Sequence, residues 1–430
     1  MVALGLDFGT TNTVLARAGA NGHAQPIVFS VDGAALSTIR SILCFWFEKN
    51  IGAQSASGPW AIQHFLDEPG DCRLLQSLKT FAANPHFNRT FIYGKNYLFE
   101  DLLSVFLRNL FAHTEFHAIA LPTRLVVGRP VRFAGTSPDE NLATLRYRNA
   151  LKTIGFEEIH FVYEPVAAAF YYAQRLKHDA TIVIADFGGG TTDYSVLRFE
   201  LENGKIRAKP LSHAGIGIAG DNFDYRIIDN VVSPRLGKGT QYRSMTKILD
   251  IPKHFYANFA RWNSLSIMKT TKEFRDLKGL VKSSLQPELL EQFIELIENE
   301  QGYALYRAVS KAKEALSRES ETVFEFSAPG TQISARITRA NFESWIEDDL
   351  GRITNSLDEA LRNASVTPAQ IDKVFLTGGT SFVPAVRSLF ADRFGTDKIE
   401  VGDELVSIAN GLSLIGERDD IEQWAVPESP

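Results

Sequence analysis

The sequence predicts an α/β protein built from two duplicated lobes. Three observations predict it. An Asp-Phe-Gly turn flanked by strands occurs at Asp7 and again at Asp186, a Gly-Gly turn follows another buried strand near Gly378, and strands alternate with helices between them. A chain of 430 residues is too long for one small core and suits two lobes, each with its own.

The N-terminus reads as strand, turn, strand. Val2 to Leu6 are apolar, Asp7-Phe8-Gly9-Thr10-Thr11-Asn12-Thr13 form the turn, and Val14 to Ala16 continue as a strand. Met1 to Leu6 lack a basic start, a long apolar core and a cleavage site, so they read as a strand and not as a leader. A mixed, aromatic-rich segment runs from about Pro26 to Leu110. Arg124 to Gly128 form a buried strand. Ser137-Pro138-Asp139-Glu140 then open a helix, with Ser137 as the expected cap, Glu140 completing a capping box, and Gly155 ending it. Glu164-Pro165 start the next helix, whose alanines offer a tightly packable face.

Thr181 to Ala185 form a second buried strand. It leads into Asp186-Phe187-Gly188-Gly189-Gly190-Thr191-Thr192-Asp193 and a further strand from Tyr194 to Phe199. Residues from Tyr225 to about Val309 read as a polar and aromatic helical insertion, broken at Pro252 and Pro287. A strand pair follows, Thr322 to Phe326 and Gln332 to Ile337. Thr338 then starts a long amphipathic helix with Phe342, Trp345, Ile346, Leu350, Ile353, Leu357 and Leu361 on its buried side. Val374 to Leu376 form a third buried strand before Thr377-Gly378-Gly379-Thr380-Ser381, and Pro384 restarts a helix. The expected division is residues 1–180 as the first lobe, with an insertion at about 36–108, residues 181–417 as the second, with its helical insertion at about 225–309, and a short polar tail at 418–430.

Composition narrows the function. The net charge of −6 and the lack of a long basic run argue against nucleic acid as a partner. No apolar stretch is long enough to span a bilayer, which argues against a membrane. Cys44 and Cys72 form no metal spacing and no disulfide framework, and read as reduced thiols of a cytoplasmic protein. The nine histidines show no ligand spacing.

The turns carry the chemistry. Glycine permits close approach and positive φ, so such turns expose backbone N–H groups that bind phosphate oxygens, and threonine hydroxyls add donors. A leading aspartate would repel phosphate unless a cation stood between them, so Asp7 and Asp186 point to a hydrated Mg²⁺. One such turn alone is better explained as an ordinary hairpin. Two matched Asp-led turns with a third Gly-Gly turn are not.

At this point a resemblance is plain. The segments at Asp7–Thr13, Asp186–Asp193 and Leu376–Thr380 resemble the phosphate-one, phosphate-two and adenosine motifs of the actin-like ATPases. The wording is closest to the DnaK-type heat-shock chaperones, the heat-shock-seventy family. Tyr163-Glu164-Pro165-Val166-Ala167-Ala168-Ala169 resembles that family's Asn-Glu-Pro-Thr-Ala-Ala-Ala segment, and Gly217 to Asp224 resembles its Gly-Gly-Glu-Asp-Phe-Asp turn. The match covers the family's nucleotide-binding part only and is similar to the YegD-like branch, which lacks a peptide-binding domain. The resemblance implies a two-lobed, ribonuclease H-like actin-like ATPase fold with ATP or ADP and Mg²⁺ between the lobes.

Carried over, Asp7 and Asp186 would hold water ligands of the metal. Gly9, Thr10, Thr11 and Asn12 would cradle phosphates from one lobe, and Gly188, Gly189, Gly190 and Thr191 from the other. Glu164 and Asp193 would orient the attacking water or the metal's waters, and Lys79 would offset γ-phosphate charge or hold the nucleophilic water, which suits a reaction that depends on positioning and charge neutralisation. Gly220 and Asp221 would lie near the ribose or phosphates, and Lys313, Ser317, Gly378, Gly379, Thr380 and Phe382 at the adenosine. Glu314 and Phe382 stand where the chaperones have arginines and Ser310 where they have a glutamate, so the adenine end departs from the pattern, with Phe382 left to stack on the base. The implied function is a slow, chaperone-like ATPase whose nucleotide state closes the lobes, serving a protein client or co-chaperone. The alternative is a nucleotide-binding adaptor that scarcely hydrolyses.

Overall fold

The structure, a computed structural model, describes residues 3–19, 22–68, 72–117, 121–135, 137–202, 205–257, 259, 268–269, 271–299, 301–400 and 405–427. The chain forms two compact units. One comprises Met1–Ala219, Ile353–Ser381 and Val386–Pro430, and the other Gly220–Arg352 and Phe382–Ala385.

The first unit contains two sheets of matching design. In the first, β1 (Ala3–Phe8) pairs antiparallel with β2 (Asn12–Ala18), which pairs antiparallel with β3 (Ala24–Pro26). On its other side β1 runs parallel to β4 (Arg124–Arg129), and β4 to β5 (Glu158–Tyr163). In the second, β6 (Ala180–Phe187) pairs antiparallel with β7 (Thr192–Glu202), and β7 with β8 (Lys205–Ile216). On its other side β6 runs parallel to β9 (Lys373–Thr377), and β9 to β10 (Ile399–Glu400). Each sheet is a three-strand meander whose first strand is extended by two parallel strands, so the duplication visible in the turns extends to the whole strand order.

Buried strands on both faces need helical cover. Helices α1 (Phe99–Phe111) and α2 (Glu140–Ile154) cover one face of the first sheet, where Phe106, Leu107 and Leu151 meet Leu6, Phe8 and Val127. Helices α3 (Glu164–Ala173) and α8 (Ser407–Gly416) lie in a second core that joins both sheets, with Val126 and Val162 from the first and Ile182, Ile184 and Leu197 from the second. The alanine face of α3 lets α8 come so close that a Cβ at Gly411 would stand 1.8 Å from Ala167 O. Strands Ile42–Glu48, Gly52–Ser57 and Cys72–Gln76 form a small sheet of their own within the first-lobe insertion.

The second unit is largely helical. It holds α4 (Gly220–Ile227), helices Lys272–Leu280 and Pro287–Glu298, α5 (Gly302–Arg318) and the hairpin Glu321–Ala328 with Thr331–Thr338. Parts of the helical insertion expected at 225–309, the first residues of the expected N-terminal strand, and the end of the expected tail lie outside the described residues. Thr338 caps α6 (Arg339–Asn363) by accepting from Asn341 N at 3.1 Å, and Phe342, Ile346, Ile353, Leu357 and Leu361 of that helix are buried. Pro384 opens α7 (Pro384–Phe394).

One local expectation changes. Asp139, not Ser137, caps α2, accepting from Leu142 N at 2.9 Å. Glu140 closes no capping box because its carboxylate is drawn to the preceding loop, where it accepts from Phe133 N at 3.1 Å and pairs with Arg129.

Candidate functional site

Both Asp-led turns have the same geometry. Asp7 and Asp186 are each the last residue but one of their strands, β1 and β6. Gly9 N donates to Asn12 O at 2.9 Å, and Gly188 N donates to Thr191 O at 2.9 Å. Each turn thus closes a four-residue loop, Gly9 to Asn12 and Gly188 to Thr191. None of Gly9, Gly188, Gly189 and Gly190 takes a positive φ, so these turns use glycine for close approach and not for left-handed backbone. The left-handed glycine of the site is Gly378, with φ 80°, whose missing Cβ would stand 2.1 Å from Phe187 O. That contact seats the third turn on the second, and Thr380 Oγ1 adds a bond to Gly188 O at 3.2 Å. The loops also approach one another: a Cβ on Gly190 would lie 3.6 Å from Thr10 Oγ1.

Four acidic side chains and one lysine gather around these turns. Lys79, in the short helix Lys79–Ala82, donates from Nζ to Glu164 Oε1 at 2.6 Å, and both side chains are buried. Glu164 opens α3, where the helix dipole favours a carboxylate. Asp186 and Asp193 face each other across the β6–β7 pair and are buried, while Asp7 keeps partial exposure. The equivalent of Asp193 in the first sheet is Val14, opposite Asp7, so the second turn alone carries the extra acid.

The electrostatics follow from crowding. Burial and then Glu164 push the Asp186 carboxyl up to about 7, against a bond from Thr377 Oγ1 at 2.6 Å and the Lys79 charge. Burial, then Glu164 and Asp186, hold Asp193 well above the usual carboxylate range. Asp7 is raised in the same way by burial, Glu164 and Asp186, with Lys79 opposing. Burial by itself favours a neutral Lys79, but Glu164, with Tyr147 and Asp7, outweighs it and holds the ammonium above its ordinary range. Asp193 Oδ1 accepts from Val131 N at 3.1 Å and Arg132 N at 3.3 Å, the Thr191 hydroxyl eases the same carboxyl, and Asp193 Oδ2 makes no hydrogen bond of normal geometry among the described residues. Four carboxyl groups facing one ammonium, with a buried oxygen lacking a normal hydrogen bond, make a site short of positive charge.

Among the described residues no three His, Cys, Asp or Glu side chains converge to hold a bare metal ion.

The remaining candidates fall elsewhere in the chain. Gly379 and Thr380 lie in the 3₁₀ turn after β9, and Phe382 ends it, 42% exposed and in the second unit. Gly220 and Asp221 open α4, and Lys313 and Ser317 lie on α5. Lys313 Nζ sits 2.8 Å from Asp224 Oδ1 and donates to Gly220 O at 3.2 Å, so the second unit brings Gly220 and Lys313 together. Ser317 Oγ donates to Lys313 O at 3.0 Å, and Glu314 pairs with Arg318 at 2.9 Å. Sequence reasoning missed Thr377 as the bond to Asp186, the Val131 and Arg132 amides on Asp193, and Asp224 as the partner of Lys313. Thr377 and Asp224 stood inside quoted motifs, whereas no local signal marks the two amides.

A family model described as Hsp70 protein matches residues 91–246 and 290–417, more than half of the chain. The chain belongs to the Hsp70 family. It is 26% identical to the chaperone protein DnaK of Thermus thermophilus, over 97% of this chain and 62% of that relative. It is 24% identical to the chaperone protein DnaK of Deinococcus proteolyticus, over 96% of this chain and 58% of that one. The chain thus spans about three fifths of the length of the curated relatives it matches. Hsp70 membership gives the actin-like ATPase fold, with which the repeated strand order of the two sheets agrees. Among the described residues no helix of this Hsp70 relative is long and apolar enough to cross a membrane.

Proposed function

We propose that the chain binds ATP or ADP with Mg²⁺ at the paired turns and hydrolyses ATP slowly, as a chaperone-like protein. The observation that carries this is the gathering of Asp7, Asp186, Asp193 and the buried Lys79–Glu164 pair, at 2.6 Å, beside two turns of identical hydrogen bonding. Asp7 and Asp186 would hold a hydrated Mg²⁺, and Asp193 Oδ2, which lacks a normal hydrogen bond, and the raised carboxyls fit a missing cation. That ion supplies charge neutralisation at the phosphates when bound. The amides and hydroxyls of Gly9, Thr10, Thr11 and Asn12, and of Gly188, Gly189, Gly190 and Thr191, would bind phosphate oxygens. Lys79 would offset developing charge at the terminal phosphate, and Glu164 and Asp193 would orient the attacking water. By resemblance, Gly220 and Asp221 are assigned to the ribose or phosphates, and Lys313, Ser317, Gly378, Gly379, Thr380 and Phe382 to adenosine.

We further read the nucleotide state as setting the closure of the duplicated lobes, with a protein client or co-chaperone responding to it. We place the chain in the cytoplasm, where the buried cysteines Cys44 and Cys72 would stay reduced. The test is single-turnover hydrolysis of ATP with magnesium, beside calorimetric nucleotide binding, for the native chain and Asp186→Asn. Slow turnover abolished by the substitution is the expected result. Binding without turnover would replace the hydrolytic reading with that of an adaptor, and no binding would refute the nucleotide site.

A further inference from the structure

The second unit carries a hairpin that the proposed ATP site does not use. Strand Gln241–Ser244 pairs antiparallel with strand Lys247–Asp250, and Met245 and Thr246 form the two-residue turn between them. The Hsp70 model matches as far as residue 246 and resumes at 290, so the second strand lies between the matched stretches.

The register fixes which backbone groups of the hairpin are engaged. Residues that flank a two-residue turn exchange backbone hydrogen bonds, and bonded and unbonded pairs then alternate along the strands. Ser244 with Lys247 and Tyr242 with Leu249 are bonded pairs, whereas Arg243 with Ile248 and Gln241 with Asp250 are not. The next pair keeps the alternation, since Ile251 N donates to Thr240 O at 2.8 Å. Gln241 O turns outward and accepts from Leu285 N at 2.8 Å, and Tyr242 bridges to Ser284, so the outer edge of the first strand is covered. On the opposite edge the N–H and C=O groups of Ile248 and Asp250 turn outward, and no strand among the described residues pairs with them.

The side chains along that open edge are apolar or basic. All four residues of Lys247–Asp250 are exposed, Ile248 at 54%, and Leu285 is exposed beside the hairpin. Met245 is 96% exposed at a φ of 53°, a left-handed turn position that glycine or asparagine usually fills. A methionine there adds no packing to this chain and suits contact with another. Residues 241–254 hold three cations, Arg243, Lys247 and Lys253, against one acid, Asp250, in a chain whose net charge is −6. Lys282, two residues before the Ser284 bridge, adds a fourth cation. All four are exposed, and none makes an ion pair among the described residues. The acid is engaged, because Gln241 Nε2 donates to Asp250 Oδ1 at 3.1 Å.

A lysine on an edge strand ordinarily keeps other chains away. Beside Ile248 and Leu249 it selects instead, admitting a strand that brings acids and refusing a basic one. An anionic lipid surface would meet the cations but leave the outward amides and carbonyls without partners. Nucleic acid would meet the cations but offer little to the apolar side chains.

We propose that the edge Lys247–Asp250 is a docking site for an extended, acidic segment of a partner protein, which adds to the hairpin as a third strand. The backbone of the segment pairs with the outward groups of Ile248 and Asp250, its apolar side chains meet Ile248 and Leu249, and its carboxylates meet Arg243, Lys247 and Lys253. The site stands whether or not the chain hydrolyses ATP.

The test uses the full chain and a labelled peptide of alternating Glu and Val, followed by fluorescence anisotropy. Saturable binding is expected, with slower amide hydrogen exchange over residues 247–250. The double variant Arg243→Glu, Lys247→Glu should weaken it roughly tenfold or more. Its melting temperature should match that of the native chain, because both side chains are exposed and unpaired. The same peptide methylated at its backbone nitrogens keeps the side chains but cannot pair as a strand, and should not bind. No binding of the Glu–Val peptide overturns the proposal. So does equal binding of the methylated peptide or of a Lys–Val peptide, or protection that falls away from residues 247–250. Anionic phospholipid vesicles and a single-stranded DNA oligonucleotide are run beside the peptide. Tighter binding of either, lost in the double variant, would give the surface to that ligand and overturn the proposal.

Discussion

Replacing Asp186 with Asn removes one buried negative charge with little change of shape. The bond from Thr377 survives, because the Asn carbonyl oxygen accepts as Asp186 Oδ1 does, at 2.6 Å in the native chain. Burial and Glu164 raise the Asp186 pKa from 3.8 to about 7. A shift of about 3 units corresponds to roughly 4 kcal/mol between the protonated and ionised forms. The folded value lies above the unfolded one, so the associated stability is fully present below 3.8 and is lost as pH rises through about 7. The Asn variant has no such group to ionise. Without nucleotide and with a chelator present, the variant should therefore gain on the native chain by roughly 2–3 kcal/mol between about pH 5 and pH 8.5. Denaturant midpoints followed by tryptophan fluorescence across that range measure it. The same variant should lose the stabilisation that ATP and magnesium confer on the native chain. A difference independent of pH, or an advantage that shrinks as pH rises, would refute the claim that burial and Glu164 raise the Asp186 carboxyl.

Other perturbations test the rest of the site. Lys79→Met removes the one ammonium facing the acidic cluster among the described residues, and should cost about 3–5 kcal/mol at neutral pH. The loss should ease as the pH is lowered and the carboxyls protonate, as equilibrium unfolding at several pH values would show. Arg146→Ala removes the buried guanidinium that donates to the carbonyls of Phe81, Ala82, Asn84 and Phe87. It should cost about 3 kcal/mol and speed amide hydrogen exchange over residues 81–87 ahead of the rest of the first unit. Gly378→Ala forces a Cβ to within 2.1 Å of Phe187 O at a φ of 80°. A drop of roughly 2–4 kcal/mol in thermal or denaturant stability, together with weakened nucleotide binding, is expected. Unchanged stability would show that the third turn is not seated on the second.

How much of this was legible in the sequence depended on the range of the physics involved. Turns are local, so Asp7-Phe8-Gly9 and Asp186-Phe187-Gly188 announced themselves through glycine, threonine and the flanking apolar strands. Amphipathic helices are local too, and Thr338 and the stripe from Phe342 to Leu361 were readable for the same reason. Capping was only half legible. Both Ser137 and Asp139 were chemically competent, and a long-range pull of Arg129 on Glu140 removed the capping-box partner that favoured Ser137. Edge strand β10 and helix α8 gave no pattern distinctive enough to announce them, although α8 fills the core that joins the two sheets.

By itself, the sequence determined the residues of the turns, the duplication of Asp-led loops and the family. These depend on residue type at fixed short spacing. Only the tertiary structure decided which distant groups meet. Lys79 reaches Glu164 across 85 residues, and Thr377 reaches Asp186 across 191. Local periodicity records how each segment lies against its immediate neighbours. The charge balance of a site is a property of the packed whole, because burial and crowding, not sequence spacing, set the cost of each ionised group.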